Sequence, residues 1–367
     1  MKHQLLFLFC LVVYLTPSKA QNTGDNVLKF LEGEMKEQGI PGIQVAVIQD
    51  NKVVLLENLG TSNVSFSIKT SDSTLFSINS IAKIFAATAV MQLMEAGHIN
   101  IDDPISNHLE GLPDNWGTVT VKQLLSHTSG LPDIEDSDSD GLIGGKGQDS
   151  AWVKVRQMPL RFKAGDEFNY NATNYLLIQM LIEKYGECSF EEFVEKNQLR
   201  VAGMPRTIFG NSYDVVENKS PTYSFYRFDM NKGDYVKGNK LLEVYEEFPS
   251  MLRADAGAFS SAKELAKWIM ALEKGKLLKD ERSLDLMWEP VRLNNGAYGQ
   301  FGGFLNAYGL GWPVAKRESH PAVVVIGGGR AALGIYPKDG LAIVILTNLS
   351  GVYVHELVDH ISKFYLQ

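Results

Sequence analysis

Cysteine and net positive charge are both scarce in this sequence. Its 367 residues contain two cysteines, Cys10 and Cys188, and 35 Lys and Arg against 43 Asp and Glu, a net charge of −8. Because Cys10 lies in a leading apolar run, we expect no internal disulfide in the mature protein. The acidic balance disfavours a nucleic-acid-binding protein, and 33 glycines without a three-residue period exclude collagen.

Long hydrophobic runs are missing after the first twenty residues, so we predict no stable membrane anchor there. At the start, Lys2 precedes an apolar run over residues 5–15, and Ser18-Lys19-Ala20 has the small-x-small form of a signal-peptidase site. The pattern predicts a signal peptide over residues 1–20, cleaved before Gln21. The mature chain is then expected to be secreted or periplasmic.

Strand patterns occur near both ends of the chain, with mostly helical stretches between them. Apolar spacing predicts a helix over 25–38, then a hairpin with strands over 43–48 and 53–56. Strand patterns return in the last sixty residues, and an amphipathic helix over 352–364 follows them. The middle has short helical stretches and a strand pattern near 223–228. These positions predict one sheet built from both ends of the chain.

The clearest candidate for chemistry is Ser80 with Lys83, where a loop enters a predicted helix over 80–95. Residues three apart share a helix face, so the Lys83 amine can lie beside the Ser80 hydroxyl as its base. The Ser80 backbone N–H also lies at the positive end of the helix dipole, where an oxyanion can bind. An N-capping serine followed by a solvated lysine explains the same residues without catalysis.

Several motifs along the chain resemble those of one known family, and they occur in that family's order. The chain resembles the serine β-lactamase and penicillin-binding-protein superfamily, in its class C-like and serine esterase branch. The matching segments are Ser80-Ile81-Ala82-Lys83, Ile101-Asp102-Asp103-Pro104, Leu124-Leu125-Ser126-His127-Thr128-Ser129-Gly130-Leu131-Pro132, Ala164-Gly165-Asp166-Glu167-Phe168-Asn169-Tyr170, Tyr175-Leu176-Leu177, Gly257-Ala258-Phe259-Ser260-Ser261 and Tyr308-Gly309-Leu310-Gly311-Trp312.

The resemblance implies an α+β fold of the β-lactamase/transpeptidase type. It implies an antiparallel sheet flanked by helices, with a mainly helical domain inserted. The sheet lobe would comprise residues of about 21–85 and 250–367, and the insertion about 86–249. It also implies that His127, in the second matching stretch of the helical region, is structural.

The same resemblance implies catalytic roles for individual residues. Ser80 would be the acylated nucleophile, Lys83 its proton partner, and Tyr170 the relay between nucleophile and leaving group. A phenol has an unperturbed pKa near ~10, so we expect Tyr170 to need the positive charge of Lys83 to act as a base. The backbone N–H groups of Ser80 and Gly328 would hold the oxyanion.

The second motif departs from the family pattern. Where the family has Tyr, a small residue and Asn, this chain has Tyr170-Asn171-Ala172, so the expected amide is replaced by a methyl group. We assign Asn171 or Asn174 to substrate binding as a substitute for that amide.

The third motif departs further. Val325 and Ile326 stand where a basic residue and a hydroxyl are expected, although Gly327 and Gly328 remain. This loss argues against efficient turnover of substrates whose carboxylate those groups hold. We assign Gly327 and Arg330 to the substrate-binding site, the arginine as a possible source of positive charge; a solvated surface arginine is the other interpretation.

These observations predict an exported serine hydrolase that acts through an acyl-enzyme on a neutral ester or amide. Its partner would be a small-molecule or peptide substrate, and no metal or organic cofactor is expected. Two alternatives stay open: a D-Ala peptidase or β-lactamase-type penicillin-binding enzyme, and a non-catalytic binding protein with a degenerate site.

Two acidic or histidine-containing segments bear on metal binding. Residues 136–147 begin with the acidic spacing of a calcium loop, but Gly147 stands where a bidentate Glu is expected. A solvated acidic loop is therefore favoured over a calcium site. His355 and His360 are five residues apart, so they diverge around a helix and cannot share a zinc ion.

Overall fold

The structure is a computed structural model, and it describes residues 19–136, 141–145, 147–229 and 231–366. Most of the predicted signal peptide lies outside the described residues, so its cleavage stays a prediction. Within the described part of the chain, no helix is long and apolar enough to cross a membrane.

The strands of the described chain fall at both ends and in short pairs between them. They are β1 (Gly42–Gln49), β2 (Lys52–Asn63), β3 (Ile68–Lys69), β4 (Phe76–Ser77), β5 (Glu135–Asp136), β6 (Gly141–Leu142), β7 (Ile208–Phe209), β8 (Thr222–Asp229), β9 (Asp234–Val244), β10 (Ala258–Ser260), β11 (Ala307–Tyr308), β12 (Pro313–Ala315), β13 (Ala322–Gly327), β14 (Ala331–Tyr336) and β15 (Leu341–Thr347).

The helices pack on both faces of the main sheet and fill the middle of the chain. They are α1 (Lys19–Gln38), α2 (Ala82–Glu95), α3 (Val121–Leu125), α4 (Gln148–Val155), α5 (Ala172–Gly186), α6 (Phe190–Val194), α7 (Arg200–Ala202), α8 (Ala262–Glu273), α9 (Glu281–Trp288) and α10 (Val354–Tyr365). Short 3-10 turns at Asn79–Ile81 and Ser250–Leu252 both border the site described below.

The main sheet is antiparallel, with the strand order β11-β12-β13-β14-β15-β1-β2-β3. Its centre joins the two ends of the chain, since Val45 of β1 lies opposite Ile345 of β15. Side chains alternate between two cores: Val45 and Ile345 pack in one core with residues of α1 and α10, whereas Ala46 and Val344 pack in the other with residues of α2 and α8. The predicted α+β fold with a sheet from both chain ends is confirmed.

The predicted terminal elements are found with small changes. The first hairpin turns at Asp50 and Asn51, whose positive φ angles of 47° and 60° suit a tight turn between twisted strands. The single strand predicted over 308–314 is instead two short strands, β11 and β12. Gly311, with a φ of 83°, lies in the turn that separates them.

Helix α2 is more deeply buried than its sequence pattern suggested. Every residue from Ala82 to Met91 is buried, so the helix is surrounded on all sides rather than along one stripe. It contacts α5, α6 and α9, and the 3-10 turn that precedes it lies beside β13. The residues that open this helix are therefore held at the centre of the molecule.

The middle of the chain contains a strand that the sequence pattern did not predict. Strand β8, near the predicted 223–228, pairs antiparallel with β9. Most residues of β9 are exposed, so it lacks the buried alternation by which a strand is recognised. The predicted domain boundaries at about 85 and 250 stay a prediction.

Candidate active site

Ser80 lies in the 3-10 turn that leads from strand β4 into helix α2. The preceding Asn79 has a φ of 42°, and its side-chain oxygen accepts a hydrogen bond from Ser77 Oγ at 2.8 Å. Lys83 follows one turn later, and its Nζ donates to Ser80 Oγ at 3.2 Å. The structure thus brings the two side chains of the Ser-x-x-Lys pattern into contact.

Asp255 is a member of this site that sequence reasoning missed. Its Oδ1 lies 2.7 Å from Lys83 Nζ, and its backbone carbonyl accepts a further hydrogen bond from Nζ at 3.2 Å. Lys83 is 1% exposed and Asp255 is 7% exposed. A buried ammonium needs such a counter-charge, because transferring an unpaired charge from water to the interior is strongly unfavourable.

Aromatic rings cover the remaining sides of the Lys83 ammonium. Its Nζ lies 4.5 Å from the ring centroid of Tyr170 and 5.2 Å from that of Tyr175, within the range of cation–π attraction. The ring of His127 lies 4.3 Å from that of Tyr170 and 5.4 Å from that of Tyr308. We call Tyr170, Tyr175, Tyr308 and His127 the aromatic cluster.

Tyr170 lies beside Ser80 and Lys83 in the cavity wall. Burial, and then the negative charge of Asp255, raise the pKa of Tyr170 well above its ordinary value, and an interaction with the Ser80 side chain opposes them in part. The role of Tyr170 as a proton relay stays a prediction. A neutral Tyr170 can still donate or pass on a proton.

His127 is fully buried within the aromatic cluster. Its Nδ1 accepts hydrogen bonds from the backbone N–H of Asn171 and the side-chain amide of Asn174, both at 3.1 Å. Burial, and then the charge of Lys83, lower the pKa of His127 well below its ordinary value, so the ring is neutral. These contacts favour the structural interpretation of His127.

Asn171 and Asn174 form hydrogen bonds inside the protein, and the structure gives no support to their predicted role in substrate binding. Asn171 caps helix α5: its Oδ1 accepts from the backbone N–H groups of Thr173 and Asn174, and its Nδ2 donates to the Leu131 carbonyl at 2.7 Å. Asn174 accepts from Ser129 Oγ at 2.5 Å and donates to His127. Both asparagines are buried, at 1% and 0% exposure, so neither reaches the cleft.

Arg330 is also bonded inside the protein, and the structure gives no support to its predicted role in substrate binding. Its guanidinium forms two hydrogen bonds to the carboxylate of Glu246, at 2.8 and 2.5 Å, and a third to Thr222 Oγ1 at 2.9 Å. The side chain is 4% exposed. Arg330, which directly precedes β14, thereby connects this strand to the β8–β9 region. It is not a surface arginine, and its charge is already paired with Glu246.

Gly327 and Gly328 lie at the end of β13, the strand whose neighbour is the Ser80 turn. Gly327 approaches the Ile78 carbonyl so closely that a side chain there would overlap it. Gly328 has a φ of 54°, which favours glycine. The roles of Gly327 in substrate binding and of the Ser80 and Gly328 N–H groups as oxyanion donors stay predictions.

A cavity of about 210 Å³ opens above Ser80 and Lys83. Val325 and Ile326 of β13 both contribute to its wall. Their side chains point to opposite faces of the sheet: Val325 packs in the core that contains α2 and α8, and Ile326 packs against the other core. Apart from Ser80 and Lys83, the wall is aromatic, aliphatic or glycine. The lining residues are Ser80, Lys83, Tyr170, Phe301, Tyr308, Gly311, Pro313, Val325 and Ile326.

Metal-ligand side chains are not grouped in the part of the chain that the structure describes. There, no three His, Cys, Asp or Glu residues come together as a possible metal site. The acidic loop weighed for calcium includes residues 137–140 and 146, which lie outside the described residues, so that prediction stays untested.

Comparison with known proteins supports the resemblance drawn from the motifs. A family model described as Beta-lactamase matches residues 27–363. Protein flp of Staphylococcus aureus (strain N315) is 26% identical over 345 residues, which cover 91% of this chain and 65% of that protein. This chain therefore spans about two thirds of the length of that relative.

Two solved structures illustrate the similarity of fold. The octameric penicillin-binding protein homologue from Pyrococcus abyssi is 25% identical, with a TM-score of 0.76, covering 91% of this chain and 75% of that one. D-amino acid amidase from Ochrobactrum anthropi SV3, complexed with D-phenylalanine, is 22% identical, with a TM-score of 0.77 over 95% of this chain and 99% of that one. The second likeness shows the fold alone.

Proposed function

The chain belongs to the β-lactamase family, and from this premise we propose that it is a serine hydrolase that forms an acyl-enzyme on Ser80. The observation that carries the proposal is the 3.2 Å contact between Lys83 Nζ and Ser80 Oγ at the floor of a cavity. A nucleophile and a base in direct contact, with the base held by a third group, form the arrangement used in covalent catalysis.

In the proposed reaction, the unprotonated fraction of Lys83 accepts the Ser80 proton while Oγ bonds to the carbonyl carbon. The electron pair of the C=O double bond moves to the oxygen, and the backbone N–H groups of Ser80 and Gly328 stabilise this oxyanion by donating hydrogen bonds to it. When the carbon–leaving-group bond breaks, the leaving group takes the proton from the Lys83 ammonium, directly or through the Tyr170 hydroxyl. Water then attacks the acyl-enzyme by the same steps in reverse order.

The cavity wall favours neutral esters or amides as substrates. Val325 and Ile326 offer no hydrogen bond, and among the lining residues Lys83 is the one cation, already paired with Asp255. A substrate carboxylate brought against this wall would lose its hydration without a partner, which is unfavourable. A penicillin or a D-Ala peptide, which carries such a carboxylate, is therefore expected to react more slowly than a neutral ester.

We also propose export, on the strength of the first twenty residues. Expression of the full chain in a bacterium tests this. The expected product is an extracytoplasmic protein whose N-terminus, by mass, is Gln21. An intact Met1 terminus in the cytoplasm contradicts the proposal.

Intact-protein mass spectrometry tests the hydrolase proposal. The protein is treated separately with a fluorophosphonate, a neutral activated ester and a penicillin, alongside Ser80→Ala. We expect one adduct from the first two reagents in the wild type and in Ser73→Ala, which removes an exposed hydroxyl lining a different pocket, and none in Ser80→Ala.

The other outcomes identify the alternatives. Rapid Ser80-dependent labelling by penicillin, ahead of the ester, favours a penicillin-binding enzyme. A folded wild-type protein that gains no mass from any reagent contradicts the hydrolase and favours a binding protein.

A further inference from the structure

The mechanism above leaves one buried charge unused, the carboxylate of Asp255. It lies 2.7 Å from Lys83 Nζ, while the same Nζ lies 3.2 Å from Ser80 Oγ. The lysine is thus held between an acid and the candidate nucleophile. We propose that Asp255 is the positioning residue of this site, which aims the Lys83 amine at Ser80 and stabilises the ammonium formed when Lys83 takes the serine proton. This inference rests on the proposed function of Ser80 and Lys83.

The backbone around Asp255 is fixed by hydrogen bonds on both sides. The Asp255 N–H donates to the Leu252 carbonyl at 2.9 Å, and the Ala254 N–H donates to the side-chain oxygen of Gln179 at 3.1 Å. The guanidinium of Arg253 donates to the Gly210 carbonyl at 2.6 Å. These bonds hold the backbone of Asp255 in place, so its carboxylate is presented to Lys83 from a restrained turn, as a group that orients a catalytic base requires.

Asp255 holds the lysine through two atoms rather than one. Its backbone carbonyl accepts from Nζ at 3.2 Å in addition to the contact at Oδ1. Nζ thus donates hydrogen bonds to Ser80 Oγ and to the Asp255 carbonyl, whereas its contact with Oδ1 is an ion pair without hydrogen-bond geometry. The carbonyl holds the direction of the amine, and the carboxylate supplies the opposite charge.

The other groups around Lys83 are uncharged. The pKa values of Tyr170, Tyr175 and Tyr308 are raised by burial, and that of His127 is lowered. Among the described side chains in contact with Nζ, that of Asp255 is therefore the one that carries a charge. Two further carboxylates act on Tyr170 from a greater distance, those of Asp133 and Glu135.

The proposed arrangement follows the logic of a Ser-His-Asp triad, with lysine as the base. A neighbouring carboxylate favours the protonated amine. The carboxylate therefore stabilises the ammonium that forms when Lys83 accepts the serine proton. Removing the carboxylate should therefore move the pH dependence of the rate to lower pH and also reduce the maximal rate. Loss of packing alone would reduce the rate without moving its pH dependence.

The first experiment measures the proton affinity of Lys83 directly and needs no activity. The Cε signal of Lys83 is followed by NMR against pH in protein carrying ¹³C at lysine Cε, and it is assigned by its loss in Lys83→Met. In Asp255→Asn we expect the titration midpoint to fall by at least about one pH unit. Asp133→Asn, which removes a nearby carboxylate without a contact to Nζ, should move it far less. An unmoved midpoint in Asp255→Asn overturns the proposal.

The second experiment measures the rate of fluorophosphonate labelling of Ser80 against pH. Asp255→Asn should lower the limiting rate at least about tenfold and move the rise in rate to lower pH. A lower rate with an unmoved profile indicates a merely structural Asp255 and overturns the proposal. Asp255→Glu, which keeps the charge but displaces it, should retain the wild-type pH profile at a reduced rate.

If Asp255→Asn does not fold, Asp255→Glu can be used to test the proposal instead. Its Lys83 midpoint should remain near that of the wild type, and a midpoint lowered by a full unit contradicts the role given to the charge. The two experiments separate the two proposals. A wild type that is never labelled, but whose Lys83 midpoint falls in Asp255→Asn, disproves the hydrolase and leaves the positioning of Lys83 by Asp255 intact.

Discussion

The Cα atom of Gly327 faces the carbonyl oxygen of Ile78, two residues before the candidate nucleophile, at a distance that leaves no room for a side chain. Strand β13 and the Ser80 turn are thus in backbone contact. The position of the nucleophile relative to the cavity wall depends on glycine at this point of β13.

Gly327→Ala should accordingly destabilise the protein by about 1–3 kcal/mol, because the added methyl group must displace the backbone of the Ser80 turn. Urea unfolding measures this. Gly33→Ala is the matched control: no atom lies within 4 Å of the position its methyl group would take, and alanine favours the helix it occupies. An equal loss in both variants contradicts the argument from close approach.

Val325→His should increase acylation by substrates that carry a carboxylate. The side chain at 325 lines the cavity, so a histidine there can donate a hydrogen bond to the carboxylate, with an expected gain of about tenfold in the rate of penicillin labelling. The rate with the neutral ester should not rise in parallel.

Val325→Asn separates the effect of charge from that of polarity. It should give a smaller gain with penicillin than Val325→His at a pH where histidine is protonated. A uniform change for both reagents, in either variant, indicates that residue 325 does not meet the substrate carboxylate.

His127 should make the protein less stable in mild acid. Its pKa is lowered in the folded state by burial and by Lys83, whereas in the unfolded chain it is near ~6.5. The unfolded chain therefore binds the proton first, so the stability from a neutral His127 is present above about pH 6.5 and is lost as the pH falls below it. The slope approaches about 1.4 kcal/mol per pH unit.

Urea unfolding between pH 7 and 5 measures that slope. His127→Gln should flatten it, even if the variant is less stable overall. His360→Gln, at an exposed histidine on α10, should leave the slope as in the wild type. An unchanged slope in His127→Gln assigns the acid sensitivity to other groups.

Arg330→Ala should destabilise the fold by about 3–5 kcal/mol, because it leaves the Glu246 carboxylate without the guanidinium that pairs with it. Chemical denaturation measures the loss, and the Arg330→Ala/Glu246→Ala double variant should recover part of it. Removal of the exposed Arg200, which also pairs with a glutamate, should have little effect. A loss no greater for Arg330 than for Arg200 contradicts the structural role.

The contact of Ser80 with Lys83 was predictable because it is local: three residues in a helical register place the two side chains together. Asp255 is 172 residues from Lys83, and no periodicity or spacing in a single sequence relates the two. Strand patterns likewise predicted the sheet from both ends, since β1 and β15 are apolar runs that are buried on both faces of the sheet. The exposed strand β9 has no such alternation.

Arg330, Asn171 and Asn174 show why residue type alone does not decide the role of a side chain. An asparagine at the start of a helix can cap it or bind a ligand, and an arginine near a cleft can hold a carboxylate of the substrate or of the protein. Which one occurs depends on partners brought by folding, here Glu246 for Arg330 and the α5 backbone for Asn171. Both amides, and the two terminal nitrogens of the guanidinium, are hydrogen-bonded inside the protein.

The pairing of β1 with β15 has a kinetic consequence. Val45 and Ile345 are neighbours across the centre of the sheet although about 300 residues separate them in the chain. The central strand pair cannot form until nearly all of the polypeptide has been synthesised. During synthesis, β1 therefore remains unpaired on the side where β15 will later bind. Non-local pairing of this kind slows folding and leaves strand edges open to aggregation in the interval. We expect refolding to be slow, and its yield to fall as the protein concentration rises.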